Sequence, residues 1–442
     1  MFLTPRWSNT STLGHIQKSV RVCLDLLWMN DGPQARRAMS TTAPFQYAVK
    51  ASFWRGGTSK GVFFKLSDLP EWFQSILNSE KQPDGAQFQR MEKFFAAVMG
   101  SPDSYGRQLN GMGGGISSLS KAMVVRPSAQ ADVDVDYTFF QIGVKDGKLD
   151  MAGNCGNLTS AVGPFALNAG LWRGCPQKVG EVNGFETASV TMKLRNTNTT
   201  KVIESKFDAF RNNHGSSTWQ YLEVGKCSID GVPGTASTIT LSFLDPEGSK
   251  TPRALPTGNA VDEVQIGDRQ IMRASLIDVS NPGIFIDGRD VGWNPSSTPD
   301  EMNANQGLLD KLEMIRKQGT KMMGLDPNIS SIPKIVLLFP PKADGMDISC
   351  QALSMEQAHK AVPVTLALNL GVACKMEGTI PNQLSKHLHE SNTVIGHPSG
   401  SLEVGASIGP DGKIESAKLI RTARCHMDGV VNITNGEVSE IL

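Results

Sequence analysis

The sequence has no apolar run near the ~20 residues that a membrane-spanning helix needs. The longest near its start, residues 22–29, is interrupted by Asp25. It also has no net charge, with 43 Lys plus Arg against 43 Asp plus Glu. Such a chain holds neither nucleic acid nor an anionic membrane by its overall field, so both partners are disfavoured and any anion must be bound by local geometry. The seven cysteines (Cys23, Cys155, Cys175, Cys227, Cys350, Cys374 and Cys425) are scattered, odd in number and free of a C-x-x-C pair. That suggests neither a disulfide framework nor a zinc site, and it fits a reducing, intracellular compartment. Sequons such as those at Asn9 and Asn328 would matter only in a secreted chain, and no apolar signal segment precedes them.

What is present points to a globular, catalyst-sized protein. At ~150 residues per domain, 442 residues predict two domains. The 44 glycines, against 24 prolines, signal the tight turns of a β-rich fold. Residues 1–43 read as a leader, residues 44–247 and 248–442 as the two domains, with the last segment free to return to the first. The first 24 residues carry Arg6, Lys18 and Arg21 with several Ser and Thr and no acid. A mitochondrial transit peptide fits that composition, and so does a disordered arm ahead of a start at Met39, which leaves the address open between mitochondrial and cytoplasmic.

From Phe45 the pattern is that of a folded domain. Residues 46–53 and 62–65 read as strands around a glycine-rich turn, 91–99 as a helix closed by Gly100, 121–125 and 137–144 as strands, and 156–168 as a helix closed by Gly170. The Pro/Gly/Ser-rich stretch 245–258 reads as a connection. Beyond it the alternation returns: strands near 270–278, 283–287 and 334–339, a helix over 299–318 ending at Gly319, and another over 359–371. Ala166-Leu-Asn-Ala-Gly170 recurs as Ala367-Leu-Asn-Leu-Gly371. The echo would follow from two homologous halves, or from two buried helices that each end in a glycine cap.

Two segments carry chemistry. Asn110-Gly-Met-Gly-Gly-Gly-Ile116 feeds a strand that begins at Lys121. It lacks both nucleotide-loop spacings, yet its unhindered N–H groups suit an anion, and burial of a lysine at a strand start would bring it into the range of a general base. Asn154-Cys155-Gly156-Asn157 precedes an apolar helix, which sets the sulfur beside free N–H groups at the positive end of a helix dipole. The polar turns at Leu255-Pro-Thr257-Gly-Asn259, Ser280-Asn281-Pro282 and His397-Pro-Ser399-Gly400, and His359-Lys360 ahead of the second helix, are weaker signals, because turns of any β protein look alike.

Taken together, Arg55-Gly-Gly-Thr58-Ser59-Lys-Gly61, Gly111-Met-Gly-Gly-Gly115 with Ser120-Lys121, and Asn154-Cys-Gly-Asn157 resemble the methylaconitate isomerase (PrpF) family, and the later turns extend the likeness over roughly residues 46–440. The resemblance implies an α+β, diaminopimelate epimerase-like fold: two related domains, each a β-sheet wrapped around a central helix, with the active site in the cleft between them. It implies an isomerase acting without metal or organic cofactor on unsaturated di- or tricarboxylic acids such as aconitate, methylaconitate, methylitaconate and oxalomesaconate. Lys121 and Cys155 match the family's catalytic pair.

The expected chemistry is a proton shift through a dienolate, giving a moved C=C bond or a cis/trans change. Gly113, Gly114, Gly115, Gly156 and Asn157 would supply N–H groups to the developing charge, and Thr58, Ser59 and Ser117 would hold carboxylates. Asn154, Thr257, Asn259, Asn281, His359, Lys360 and Ser399 complete the expected binding set. The epimerases have a cysteine before the second central helix, where this chain reads Glu356-Gln-Ala-His359-Lys360, so a two-thiol racemase is a weaker alternative. A non-catalytic helper of an aconitase-type dehydratase is another. Oligomeric state, including a homo-oligomer, stays open at this level.

Overall fold

The computed structural model describes residues 46–434 apart from 80–81, 183, 213–217, 268–269, 387–391 and 412. Residues 1–43, read from the sequence as a leader, lie outside them. The chain opens on a hairpin that pairs Gln46–Gly56 with Ser59–Lys65 across a two-residue Gly57-Thr58 loop. Gly57 sits at φ +52, where a Cβ would strain the backbone and would also meet Asn157 Oδ1 at 2.1 Å. Arg55, Gly56 and Ser59 to Gly61, expected in the turn, are strand residues instead.

Two helices follow, Glu71–Asn78 and Gly85–Met99. The second starts on a capping box between Asp84 and Gln87 and ends at Gly100 with φ +75, the expected glycine stop. Lys121–Pro127 then returns parallel to Ser59–Lys65, and Val135–Ile142 pairs antiparallel with it. The first central helix comes next.

The same order recurs further along. A second hairpin pairs Gln270–Val279 with Asn281–Asp287 around Ser280 at φ +61. The helices Pro299–Ala304 and Gln306–Met322 follow. Lys334–Phe339 is then parallel to Asn281–Asp287, Ile348–Ser354 is antiparallel to it, and the second central helix is Val364–Ala373. The two halves share this topology, but the echoed segments stand at different places in it: residues 166–170 close the first central helix, while residues 367–371 lie inside the second. Their ladders join where Ile239–Leu244 pairs with Ile414–Arg421, and Ala423–Thr434 crosses back to pair with Gln46–Gly56.

Three helix readings need correction. The first central helix is not continuous: it runs Gly156–Thr159, tightens to i→i−3 bonds at Ser160 and Ala161, and resumes as Val162–Asn168. Pro164 explains the break, since it has no N–H for the Ser160 carbonyl and its ring crowds that carbonyl. Gly319 and Gly371 do not end helices. Each lies inside one and allows close packing on a strand: a Cβ at Gly319 would meet Ile284 Cδ1 at 2.6 Å, and one at Gly371 would meet Val404 Cγ2 at 2.3 Å. The second central helix starts at Val364 rather than near 359, because Pro363 disfavours helical backbone at Val362.

Both central helices sit in one apolar cluster that joins Phe165 and Leu158 to Leu366 and Val364. Separate clusters lie beneath Gly85–Met99 and Gln306–Met322. Trp54, 1% exposed and packed against Phe63, Phe165 and Tyr221, is core. Among the described residues no helix is long and apolar enough to cross a membrane.

Candidate active site

Lys121 is the first residue of its strand and is 7% exposed. Its ammonium bonds Gln141 Oε1 on the neighbouring strand and lies 5.2 Å from the centre of the Phe139 ring. Gln141 is itself fixed, because its amide N–H groups donate to Ser117 O at 3.1 Å and Ser120 O at 3.0 Å, which turns its oxygen toward the lysine. Burial lowers the Lys121 pKa, against the opposing pull of Cys155 and Asp150. A buried lysine that sheds its proton easily can serve as a general base.

Cys155 is the N-cap of the first central helix and is half-buried. Its Sγ stands 3.8 Å from Ser59 Oγ on the opening hairpin. The N–H groups of Gly156 and Asn157 fall in the first turn, where the helix offers no partner. The Asn157 side chain ties the turn to the opening hairpin and to the strand that ends at Arg421. Its Oδ1 accepts from Arg421 Nε at 3.1 Å and Thr58 N at 3.4 Å, and its Nδ2 donates to Thr58 Oγ1 at 3.1 Å. Asn154 is equally engaged, accepting from Thr159 Oγ1 and Asn196 Nδ2, each at 3.3 Å.

Lys121, Cys155, Ser59, Ser117 and Asn157 line one side of a cavity of about 40 Å³. Ser331, Lys334, His359 and Val364 of the other half line the opposite side. The two central helices abut here: a Cβ on Gly156 would lie 2.5 Å from Val364 Cγ1. A ligand pocket is commonly ~300–1,000 Å³, so the halves must part, or their side chains yield, to admit an organic acid. Ser117 also borders a neighbouring cleft of about 690 Å³ between the halves.

His359 Nδ1 accepts from Ala361 N at 3.1 Å, which leaves the neutral ring its proton on Nε2. Burial pushes its pKa down to about 4, and the charges of Lys121, His397 and Lys334 push the same way. Among the described residues no three His, Cys, Asp or Glu side chains gather as a metal site.

A family profile described as PrpF protein matches residues 46–434, which is nearly all of the described chain. The chain belongs to the PrpF family. It is 33% identical to the 2-methyl-aconitate isomerase of Shewanella oneidensis, over 88% of this chain and 98% of that protein. It is 35% identical to the (4E)-oxalomesaconate Delta-isomerase of a Novosphingobium species, over 85% and 95%. The crystal structure of a methylitaconate-delta-isomerase aligns with a TM-score of 0.64 at 32% identity, over 90% of this chain and 97% of that one. This PrpF protein is an isomerase with the two-half α+β fold of that structure.

The residues singled out in the PrpF sequence do not all gather at the cavity. Ser59, Ser117, Lys121, Asn154, Cys155, Gly156, Asn157 and His359 line it. Asn281 lies just behind its wall, with its amide 3.4 Å from where a Gly153 Cβ would be. The glycine loop stands back and is internally bonded: Gly113 N donates to Met99 O at 3.1 Å and Gly115 N to Gln108 Oε1 at 3.0 Å. A Cβ on Gly114 would meet Leu119 at 2.8 Å, so the loop's glycines serve close packing that holds the Ser117 turn.

Thr58 faces a separate cleft of about 490 Å³ with His397 and Arg421. Thr257 and Asn259 bond Asp262, each at 2.8 Å, as a local turn. Lys360 is exposed and pairs with Asp300 at 3.9 Å, while the Ser399 hydroxyl donates to Lys360 O. Lys334 was missed. In sequence it is simply the edge of a buried strand, and the one available signal is a cation opening an otherwise apolar run, as Lys121 does.

Proposed function

We propose that this isomerase moves the C=C bond of a small unsaturated di- or tricarboxylic acid by proton transfer, with Lys121 and Cys155 as the catalytic pair. The observation that carries the reading is the convergence on one cavity of a buried lysine whose pKa is lowered and a thiol at a helix N-cap position. The substrate's difficulty is its carbanion, since a C–H next to an ionised carboxylate is only weakly acidic. Neutral Lys121 takes the proton from the allylic carbon, and the C–H electrons become the new C=C bond as charge moves into the carboxylate. The free N–H groups of Gly156 and Asn157 stabilise that charge, helped by the positive end of the helix.

Return of the proton to the far carbon completes a 1,3-shift. Return to the starting carbon after rotation gives a cis/trans change through the same dienolate. Cys155, beside Ser59 Oγ, stands ready as proton carrier or electrostatic partner. Balancing these steps calls for no group beyond the chain's own residues. Cys155 is the one cysteine among the residues lining the cavity, which leaves a two-thiol racemase without its second thiol. Turnover of cis-aconitate, 2-methylaconitate or methylitaconate by the purified protein tests the proposal, and inertness toward all three overturns it.

A further inference from the structure

The wall opposite Lys121 carries polar groups that the proton shift leaves unassigned. Lys334 is 9% exposed at the head of a strand whose other residues, Ile335 to Phe339, are buried and apolar. Its ammonium donates to Ser331 O at 2.8 Å and is in no ion pair among the described residues. The helix behind it contributes Glu313 and Arg316, which bond each other at 2.6 Å, and Glu356 lies on the same side. Across the cavity its neighbours are Lys121, Asp150 and Cys155, and His359 lines the same wall as Lys334. Beside it Ser331 Oγ has no hydrogen-bond partner, and behind the wall neither amide atom of the fully buried Asn281 has one.

A buried cation in no ion pair, next to a buried hydroxyl without a partner, is unfavourable in an empty site and favourable once a multidentate anion is bound. We infer that Lys334 and Ser331 form a carboxylate-holding subsite, so that the second half grips one carboxylate of the acid while the first half works on its C–H bond. The inference rests on the isomerase reading and deepens it: the substrate must carry a carboxylate remote from the one conjugated to the reacting double bond. Burial holds Lys334 down at about 8, with Lys121 adding to the effect and Asp150 and Cys155 opposing it. An incoming carboxylate would raise it again, so binding takes up protons near that pH.

The test is calorimetric binding of tricarballylate, an unreactive saturated tricarboxylate, at pH 8.5 in buffers of different ionisation enthalpy. Wild-type protein should bind with proton uptake. Lys334→Met should bind at least tenfold more weakly with that uptake diminished, Ser331→Ala more weakly by a smaller factor, and Lys334→Arg should regain most of the affinity, which also shows that the site still folds. Binding by Lys334→Met within twofold of wild type, with unchanged uptake, overturns the subsite. Because the probe does not react, this outcome is independent of turnover: protein that binds it normally yet isomerises no unsaturated acid overturns the isomerase reading instead.

Discussion

Lys121 and Lys334 are structural counterparts: each opens a strand that runs parallel to the second strand of its half's hairpin, and both line the same cavity. The repeated topology therefore delivers two buried lysines to one small volume, from opposite sides. Their environments differ, since Lys121 meets a side-chain amide and an aromatic face while Lys334 meets a main-chain carbonyl beside unsatisfied groups.

Removing the base should remove the chemistry and leave the fold intact. Lys121→Met is expected to lower the isomerisation rate by about 10²–10⁴-fold. Its melting temperature at neutral pH should hold or rise, because an apolar chain of similar length replaces a buried amine. Steady-state kinetics beside a thermal melt checks both.

The lysine on the opposite wall should leave a mark on alkaline stability. Its folded pKa is about 8 against an ordinary 10.5. Between those values the unfolded chain keeps a proton that the folded chain has released, so stability rises with pH across that window. The rise is on the order of 3 kcal/mol at most. Melts at pH 7 and pH 9.5 should show it shrinking in Lys334→Met relative to wild type.

His359 acts at the acid end. With a folded pKa of about 4 against 6.5, it binds a proton in the unfolded chain that the folded chain refuses. Stability is therefore lost as pH falls from about 6.5 toward 4. His359→Gln should flatten that part of the melting-temperature profile, while His397, shifted to a similar value, keeps the remainder.

Contact between the two helix N-termini should be intolerant of a methyl group. Gly156→Ala places a Cβ 2.5 Å from Val364 Cγ1, which forces the halves apart at the cavity. A loss of about 1–3 kcal/mol is expected from overpacking, with a larger proportional loss of activity than of stability. Denaturant melts set against kcat/KM give the comparison.

Gln108 should matter more than its loop position suggests. It donates to Ser101 Oγ and Ser120 Oγ, each at 2.8 Å, and accepts from Gly115 N at 3.0 Å. Gln108→Leu leaves these groups without their partner next to Lys121, and a cost of at least about 2 kcal/mol is expected in a urea melt.

Much of this was legible in the sequence where the signal is local. The hairpin around Gly57, the glycine stop at Gly100, and the strand starting at Lys121 follow from turn chemistry and alternation. Gly319 and Gly371 misled because a glycine that lets a helix approach a sheet is written just like a glycine that ends the helix. The Thr257 and Asn259 turn looked as polar as the Asn154 turn, but its donors close on Asp262, a local fact no spacing records. Lys334 and Ser331 were out of reach for a different reason. Their meaning depends on which side chains of the other half face them, and that is set by the packing of two sheets rather than by neighbours in the chain.

The most direct test follows cis-aconitate, trans-aconitate and 2-methylaconitate with the protein in D2O by proton NMR, beside Lys121→Met and Cys155→Ser. The account predicts solvent deuterium entering at least one of these acids at the allylic position as the double bond moves, with loss of both signals in Lys121→Met. Isomerisation that persists in Lys121→Met, or wild-type protein that exchanges no proton of any of them, would contradict it.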